Sequence, residues 1–333
     1  MAIRSLGNSS VRYNAVMSKT GLNAAAPWGE PPFLQWYGSR GVFVGGRTPT
    51  YVNTMDYVTI ANTNSAADFG DISVATTNCA GFSGTLSGAR GVFKGDSPSP
   101  GSGQMEYITI ASAGNSSTFG NLNSARTTVG AASNGTRGIF AGGSNPASNE
   151  LQYITIESTG DASDFGDLTL ARYGTTGLGN GTRGVFGGGN KGSPTNNEVN
   201  TIDYVTVSST GNATDFGDTI QAKVFRMAGM VGGDRGVFAA GGGPSATDVI
   251  QYITITSTGN ATDFGDLDRA DEYGPGGNSN DTRGLIGGGR IAPAMTSSIR
   301  YITIATTSNT TSFGNLTEAR GYLGSSGCSG GVV

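Results

Sequence analysis

The sequence contains no histidine, and this absence excludes several kinds of site. Histidine is the commonest general base, a member of Ser-His-Asp triads and Cys-His pairs, and a ligand in most transition-metal sites. We therefore expect no such catalytic site, no metal and no cofactor. A glycoside hydrolase that uses two carboxylates stays open as a minor alternative. Its candidate acids are Glu150, Asp271, Glu272 and Glu318, each of which we interpret as a solvated loop charge.

Cysteine and charge are also scarce. The two cysteines, Cys79 and Cys328, are too few for a disulfide framework, and we interpret both as small buried side chains. Charged residues make up 13% of the chain, the net charge is −4 and no Lys/Arg run occurs, so no nucleic-acid partner is expected. The sequence has no apolar run of about 18 residues, which predicts no membrane span. It begins without an apolar signal segment, so we expect synthesis in the cytoplasm.

Glycine, by contrast, is abundant, at 57 of 333 residues, and it follows a repeat. A unit of about 49 residues occurs six times between Arg40 and Val333, and we number the copies repeats 1 to 6. Each repeat opens with Arg-Gly, continues through a Gly-rich stretch to a strand that contains tyrosine, and ends in Phe-Gly. The opening arginines are Arg40, Arg90, Arg137, Arg183, Arg235 and Arg283. This period predicts an all-β fold, a six-bladed β-propeller with one blade per repeat.

Repeat 4 illustrates the four strands expected in each blade, where the segment that precedes an Arg-Gly pair and forms the inner strand is counted with the repeat that the pair opens. Residues 173–179 are small and Gly-rich, which suits an inner strand, and Asn180-Gly181 predicts a tight hairpin turn. Residues 183–189 form the second strand, and residues 202–207, rich in β-branched and aromatic side chains, form the third. Residues 215–218 belong to a short outer strand. The pattern therefore predicts four-stranded antiparallel blades, with the repeated aromatic side chains buried between them.

The ends of the array predict how the propeller closes. Upstream of Arg40 there is no copy of the Gly-rich inner strand, whereas residues 320–328 match one. We therefore expect the C-terminal strand to complete the first blade, so that residues 40–333 form a closed propeller. Closure of this kind leaves no free sheet edge. Residues 1–39 are then an extended N-terminal arm and docking segment.

Several residues of the unit resemble the kelch-type propeller blade. Arg172 and Arg320 stand where a kelch repeat begins, the pair Gly188-Gly189 closes the second strand, and Tyr204 follows in the third. The tryptophan usual in the fourth strand is absent, and Phe-Gly replaces it in every copy. This resemblance covers residues 40–333 and implies the fold rather than a function.

The unit is more closely similar to repeats in structural proteins of marine tailed phages, cyanophages in particular. The similarity lies in the pattern Tyr-Ile/Val-Thr-Ile…Gly-Asn-Ala-Thr-Asp-Phe-Gly-Asp-Leu…Ala-Arg. It implies a non-enzymatic virion component, such as a decoration, fibre or neck and tail-associated protein, that assembles with other virion proteins. The alternative is a module that binds a host receptor or glycan during attachment.

The arm contains the first set of candidate binding residues. Both tryptophans of the chain lie there, and Trp28, Pro31, Pro32 and Trp36 are candidate contacts to a neighbouring chain. Tryptophan is enriched at interface hot spots, and proline lowers the cost of ordering an extended segment. The competing interpretation is that the tryptophans seal the propeller rim. The sequence leaves oligomerisation open.

The opening arginines and the variable loops are two further candidates. By symmetry the arginines form a ring, which we call the arginine ring, near the turns that precede the fourth strands. We interpret them as bound to turn carbonyls or aspartates, the alternative being a site for a carboxylate-bearing glycan or an acidic loop. The repeats differ most between their second and third strands, where recognition would lie. These variable loops are residues 47–54, 96–104, 144–149, 190–200, 243–248 and 290–298.

Overall fold

The computed structural model describes residues 39–84, 90–96, 103–194, 197–221, 224, 226–242, 247–271, 274–291, 293–323 and 328–330. All of them belong to one compact unit, Gln35–Val332. The other unit, Met1–Leu34 with Val333, lies outside the described residues. The described part of the chain contains strands, turns and bends but no helix, so the prediction of an all-β fold is confirmed.

The strands follow one another along the six repeats. Repeats 1 and 2 contain β1 (Arg40–Val44), β2 (Val52–Thr59), β3 (Ala67–Ser83), β4 (Arg90–Asp96), β5 (Gln104–Thr109) and β6 (Ser117–Asn121). Repeats 3 and 4 contain β7 (Gly130–Ser133), β8 (Arg137–Ala141), β9 (Glu150–Thr155), β10 (Ser163–Asp167), β11 (Thr176–Gly179), β12 (Arg183–Gly187), β13 (Thr201–Thr206) and β14 (Thr214–Asp218). Repeats 5 and 6 contain β15 (Ala228–Gly232), β16 (Arg235–Ala239), β17 (Thr247–Thr254), β18 (Thr262–Asp271), β19 (Gly276–Ser279), β20 (Arg283–Gly287), β21 (Arg290–Ile291), β22 (Ala294–Met295), β23 (Ser298–Thr303), β24 (Thr311–Asn315) and β25 (Cys328–Gly330).

Within the described residues these strands form a β-propeller arrangement of five blade sheets, so the prediction of six separate blades is wrong. Four sheets have four strands each, as predicted for a blade, and the fifth has seven, in the order β25-β1-β2-β3-β4-β5-β6. The sheet count falls to five because β3 continues from repeat 1 into repeat 2. Its first part pairs with β2, and its second part pairs with β4. A small two-stranded sheet, β21-β22, lies in the variable loop of repeat 6.

A β-bulge explains the repeated Phe-Gly. In repeat 4 the register of β13 against β14 shifts between Ile202 and Asp203, opposite Phe216-Gly217. Gly217 has φ +142°, and a Cβ there would lie 2.5 Å from the carbonyl oxygen of Gly259 in repeat 5. Any larger residue would therefore meet the backbone of the next repeat. Equivalent bulges occur in the other repeats.

The C-terminal strand closes the first blade sheet, as predicted. β25 pairs antiparallel with β1, with Cys328 opposite Val42. Earlier in this segment, Gly321 and Arg47 exchange two backbone hydrogen bonds of 2.8 and 3.0 Å. Leu323 is buried in a cluster that repeats 1 and 6 share. Three kinds of contact therefore hold the C-terminal segment on repeat 1.

The hydrophobic core consists of clusters that join neighbouring repeats. One cluster combines Ile139 and Phe165 of repeat 3 with Phe186 of repeat 4, and another combines Phe43 of repeat 1 with Phe313 of repeat 6. The repeated phenylalanines of the second and fourth strands are at most 4% exposed. Their predicted burial between repeats is confirmed, whereas the third-strand tyrosines are only half-buried. Of the two cysteines, Cys79 is buried, as predicted, and the side chain of Cys328 lies outside the described residues.

Lys94 is a buried cation that the sequence pattern did not predict. It is 1% exposed, at a position where the other repeats have Val44, Ala141, Gly187, Ala239 and Gly287. Its Nζ donates to the carbonyl oxygen of Gly95. Burial lowers the pKa of Lys94, and the nearby charges of Asp96 and Cys79 oppose that shift. The carboxylate of Asp96 accepts hydrogen bonds from Asn78 and Thr128, so it serves groups other than Lys94.

We expect Lys94→Met to stabilise the protein by about 1–3 kcal/mol at pH 7, because it removes a poorly compensated buried charge and keeps the apolar stem. The folded state binds fewer protons than the unfolded state between the lowered pKa of Lys94 and its ordinary 10.5. The stability of the unmodified protein therefore rises with pH across that interval. The advantage of the variant should shrink accordingly between pH 7 and pH 10.

Urea unfolding of both proteins at the two pH values measures this effect. Lys191→Met is the matched control, because Lys191 is exposed and its loss should change stability by less than about 0.5 kcal/mol. An advantage that stays constant with pH, or a loss of stability, would contradict the assignment of Lys94 as a buried charge.

Candidate functional site

Each repeat places its opening arginine and its variable loop at opposite ends of one strand. In repeat 4, β12 begins at Arg183, opposite Thr206, and ends at Gly187, opposite Ile202. The variable loop, residues 190–200, follows the end of β12. The arginine ring therefore lies on one face of the propeller. The variable loops lie on the other, which we call the loop face.

The arginine ring ties each repeat to the next. Nη1 of each arginine donates to carbonyl oxygens at the turn before the fourth strand of the following repeat, at 2.8–3.2 Å. The acceptors lie at Ile110 and Ala111, Ile156, Val207, Ile255, Ile304 and Ala305, and Ile60 and Ala61. Arg283 of repeat 6 reaches Ile60 of repeat 1, so the series is cyclic.

Each arginine also stacks on the third-strand tyrosine of its own repeat. The distance from Cζ to the ring centroid is 4.3–4.7 Å in all six copies. The same tyrosine packs edge-on against the phenylalanine of Phe-Gly, with centroids 5.9–6.2 Å apart. We call this Arg–Tyr–Phe unit with its carbonyl acceptor the inter-repeat clamp. The interpretation that the arginines bind turn carbonyls is confirmed, while a ligand at the arginine ring stays a prediction.

We expect Arg183→Met to lower the free energy of unfolding by about 1–3 kcal/mol, because it removes both the cation–π contact and a charged hydrogen bond. Arg183→Lys should give an intermediate loss, since lysine keeps the charge but not the planar stacking. Urea unfolding gives both values, with Lys191→Met as the control. If Arg183→Met is as stable as the control, the clamp does not couple the repeats.

A second set of inter-repeat contacts was not predicted. It involves the residue immediately before the third-strand tyrosine, which we call the pre-tyrosine position. These residues are Asp56, Glu106, Gln152, Asp203, Gln251 and Arg300, all at most 9% exposed. Asp203, for example, accepts from Thr169 N at 3.2 Å and Thr169 Oγ1 at 2.6 Å. In repeat 6 the polarity is reversed, and Arg300 donates to Asp268 at 3.1 Å.

Two of the pre-tyrosine residues form fully buried ion pairs. Arg172 contacts Asp203 at 3.1 Å and Arg320 contacts Asp56 at 2.9 Å, and all four side chains are 0% exposed. Burial lowers the pKa of each arginine, and the partner aspartate opposes the shift. These are the two arginines that carry the kelch-type resemblance. A sequence signal was present, because aspartate stands at the pre-tyrosine position in both repeats that these arginines begin.

The candidate acids of a hydrolase do not come together as far as the structure describes them. Glu150 of repeat 3 pairs with Arg126 at 3.6 Å, and Glu318 of repeat 6 pairs with Arg320 at 3.7 Å. Glu272 and the side chain of Asp271 lie outside the described residues.

The loop face carries an open cleft of about 500 Å³ where repeats 6 and 1 meet. Its walls come from two variable loops, residues 47–54 and 290–298, and from the C-terminal segment that closes the propeller. The lining residues are Arg47, Thr48, Pro49, Arg290, Pro293, Met295, Ala319 and Tyr322. The cleft therefore joins two positive charges with proline, methionine and tyrosine surfaces. Both of these loops were among the predicted recognition loops, but their meeting was not predicted.

The candidate residues of the arm, Trp28, Pro31, Pro32 and Trp36, lie outside the described residues, and their role stays a prediction. Across the part of the chain that is described, three or more Cys, Asp or Glu side chains nowhere cluster as metal ligands would. Nor does that part include a helix able to cross a membrane. Comparison of the sequence with models of protein families and with curated proteins finds no match.

Proposed function

We propose that this protein is a non-enzymatic binding and assembly module, a structural component displayed on the particle of a tailed phage. The observation that carries the proposal is the cyclic series of inter-repeat clamps. The arginines that recur in every repeat stack on tyrosine and bind backbone carbonyls, although arginine in such a ring could also bind an anionic ligand. Such a framework suits a rigid platform. The assignment to a phage particle draws on the similarity of the repeats to those of cyanophage structural proteins.

We further propose that the six repeats act as six clamped units of one ring, in the manner of a kelch propeller. Six clamps occur, and Arg283 links repeat 6 back to repeat 1. In this view repeats 1 and 2 share one blade sheet through β3, and each still keeps its own clamp and its own variable loop.

We propose that residues 1–39 dock the platform on other virion proteins, or on further copies of this chain, after synthesis in the host cytoplasm. Light scattering after size exclusion tests this idea on the full chain, on Trp28→Ala/Trp36→Ala and on a shortened chain that begins at Pro31. If only the full chain assembles, the arm is a self-association segment. If all three are monomeric, the full chain and the tryptophan variant are compared as baits for purified virion proteins.

Circular dichroism provides the necessary control, because a shortened chain that does not fold would make residues 1–30 part of the propeller. That result would contradict the docking role. A full chain that captures no virion protein and does not self-associate would contradict the assembly function itself.

A second candidate function is host attachment through the loop face, and the cleft between repeats 6 and 1 favours it. A carboxylate-based hydrolase is the weakest option, because Glu150 and Glu318 are ion-paired in different repeats. An assay for new reducing ends on acidic and neutral polysaccharides tests it. Turnover that is lost in Glu150→Gln or Glu318→Gln would contradict the non-enzymatic proposal.

A further inference from the structure

We propose that the cleft between repeats 6 and 1 binds an anionic saccharide, meaning a sugar that carries a carboxylate or a sulfate group. This goes beyond the assembly role and does not depend on it. A platform that fails to assemble could still bind the sugar, and a platform that assembles could fail to bind it.

The charge of the cleft comes from a break in the repeat. Arg47 and Arg290 each follow the glycine pair at the end of the second strand. The other four repeats have Ser97, Ser144, Asn190 and Gly242 at this position. Arginine thus occurs in two repeats that are neighbours in the propeller, and both side chains line the same cleft. Among the described residues that line the cleft none is an acid, and the two arginines complement a negatively charged ligand.

Arg47 is held in a position that suits anion binding. Its Nε donates to the carbonyl oxygen of Pro49 at 3.5 Å, and its Cζ lies 6.0 Å from the ring centroid of Tyr51. In the described part of the chain, these contacts leave the two terminal amino groups of this exposed side chain available. A guanidinium oriented in this way can donate two parallel hydrogen bonds to one carboxylate or sulfate group.

Tyr322 provides the second break in the repeat. It has φ +57°, in the left-handed region, and it is the only aromatic residue among the six that begin the inner strands in this conformation. The other five are Asn78, Thr128, Gly174, Arg226 and Gly274. Tyr322 is half-buried and lines the cleft, and an aromatic ring is the kind of group on which sugar rings pack. The Cζ of Arg226 lies 5.9 Å from the centroid of this ring, so a cation contacts the tyrosine that lines the cleft.

The size of the cleft favours a saccharide over a protein surface. A volume of about 500 Å³ falls within the range of small-ligand pockets. A protein partner would need an interface of roughly 800 Å² on each side. The lining combines two arginines with Pro49, Pro293, Met295 and Tyr322, so it offers both charge and apolar packing. A ring of sugar carbons that bears one charged group matches both kinds of surface.

Titration calorimetry on the full chain tests the proposal with four probes. They are trigalacturonate, its methyl ester, a sulfated disaccharide and hexaglutamate. We expect saturable binding of trigalacturonate or of the sulfated disaccharide. Comparison of the two titrations shows whether the cleft accepts a carboxylate or a sulfate group. The methyl ester, which has the same rings without charge, should bind at least tenfold more weakly than trigalacturonate if the carboxylate is the accepted group.

Three variants locate the site. Arg47→Gln/Arg290→Gln should reduce binding at least tenfold, whereas Lys191→Gln, which removes one charge from the same face in repeat 4, should leave it unchanged. Tyr322→Gly should also lose binding but keep its unfolding temperature, because glycine accepts the backbone conformation. A general loss of the fold would lower both the affinity for the sugar and the unfolding temperature.

Three results would overturn the proposal. One is the absence of saturable binding for both anionic sugars. Another is binding that survives the double arginine substitution. The last is hexaglutamate binding more tightly than either sugar, which would make the cleft a site for an acidic peptide.

Discussion

Replacing Asp56 by alanine is expected to lower the free energy of unfolding by about 3–5 kcal/mol. The carboxylate of Asp56 lies 2.9 Å from Nη2 of Arg320, and neither side chain is exposed. It also accepts hydrogen bonds from the backbone and the hydroxyl group of Thr317, at 3.0 and 2.6 Å. Removal would leave a backbone N–H without its acceptor and a buried guanidinium with only the partly exposed Glu318, at 3.7 Å, as a counter-ion. Urea or thermal unfolding, followed by circular dichroism, measures the loss.

Asp203→Ala is the matched control, because Asp203 forms the same kind of buried pair with Arg172 and accepts from Thr169 in the same way. Arg172 and Asp203 are close in sequence, whereas Arg320 and Asp56 come from opposite ends of the propeller chain. Both variants should show a similar decrease in the free energy of unfolding. Asp56→Ala alone should also speed hydrogen exchange in β1, because only this pair spans the closure. A loss below about 1 kcal/mol would contradict the role of the pair.

A double substitution separates the attraction between Asp56 and Arg320 from the cost of burying their charges. Asp56→Leu/Arg320→Met removes both charges at once, and we expect it to be much less destabilising than Asp56→Ala, since an apolar pair of similar volume needs no compensation. Equal losses in the single and double variants would show that the ion pair itself stabilises the fold. Those measurements need only the full chain and its unfolding curves.

The fold was predictable because the residues that recur in every repeat are ones that determine the backbone structure. Phe-Gly marks a bulge, the Arg-Gly pair marks the start of the second strand, and the Gly-rich segment after Arg320 marks the missing inner strand. The number of sheets was not predictable in the same way. The connection between repeats 1 and 2, residues 72–77, stays extended, so hydrogen bonding continues through β3, whereas bends interrupt the chain between most other repeats.

The candidate site was less predictable, because it depends on what distant residues do together. Polar residues at the pre-tyrosine position look like ordinary alternation in a strand, and only the fold shows that they face the preceding repeat. Lys94 likewise reads as a surface charge, although its repeat position is buried. The variable loops were predicted as a class from the sequence, and their role in recognition stays a prediction. Which two of them form a cleft is decided by the closure, which brings Arg290 and Arg47 from opposite ends of the chain.

Truncation of the chain after Arg320 is expected to abolish stable folding, the largest effect that the structure predicts. The lost segment contains Leu323, whose buried side chain alone is worth about 2–5 kcal/mol, and the two backbone hydrogen bonds of Gly321. It also contains β25, whose removal leaves one edge of β1 without a partner. A domain has only about 5–15 kcal/mol of stability in total, so the sum of these losses is comparable with all of it. The exposed edge also offers a template for aggregation.

A graded series makes this prediction specific to the closing strand. Truncation after Gly330 keeps β25 and should leave the unfolding midpoint unchanged, whereas truncation after Gly327 removes β25 but keeps Gly321 and Leu323. We expect the second chain to fold with a lower midpoint and to elute partly as aggregates in size exclusion. The chain that ends at Arg320 should be insoluble or unfolded by circular dichroism. If all three chains unfold at the same midpoint, the C-terminal segment does not close the propeller, because its contacts with β1 and with the core of repeat 1 would then contribute nothing.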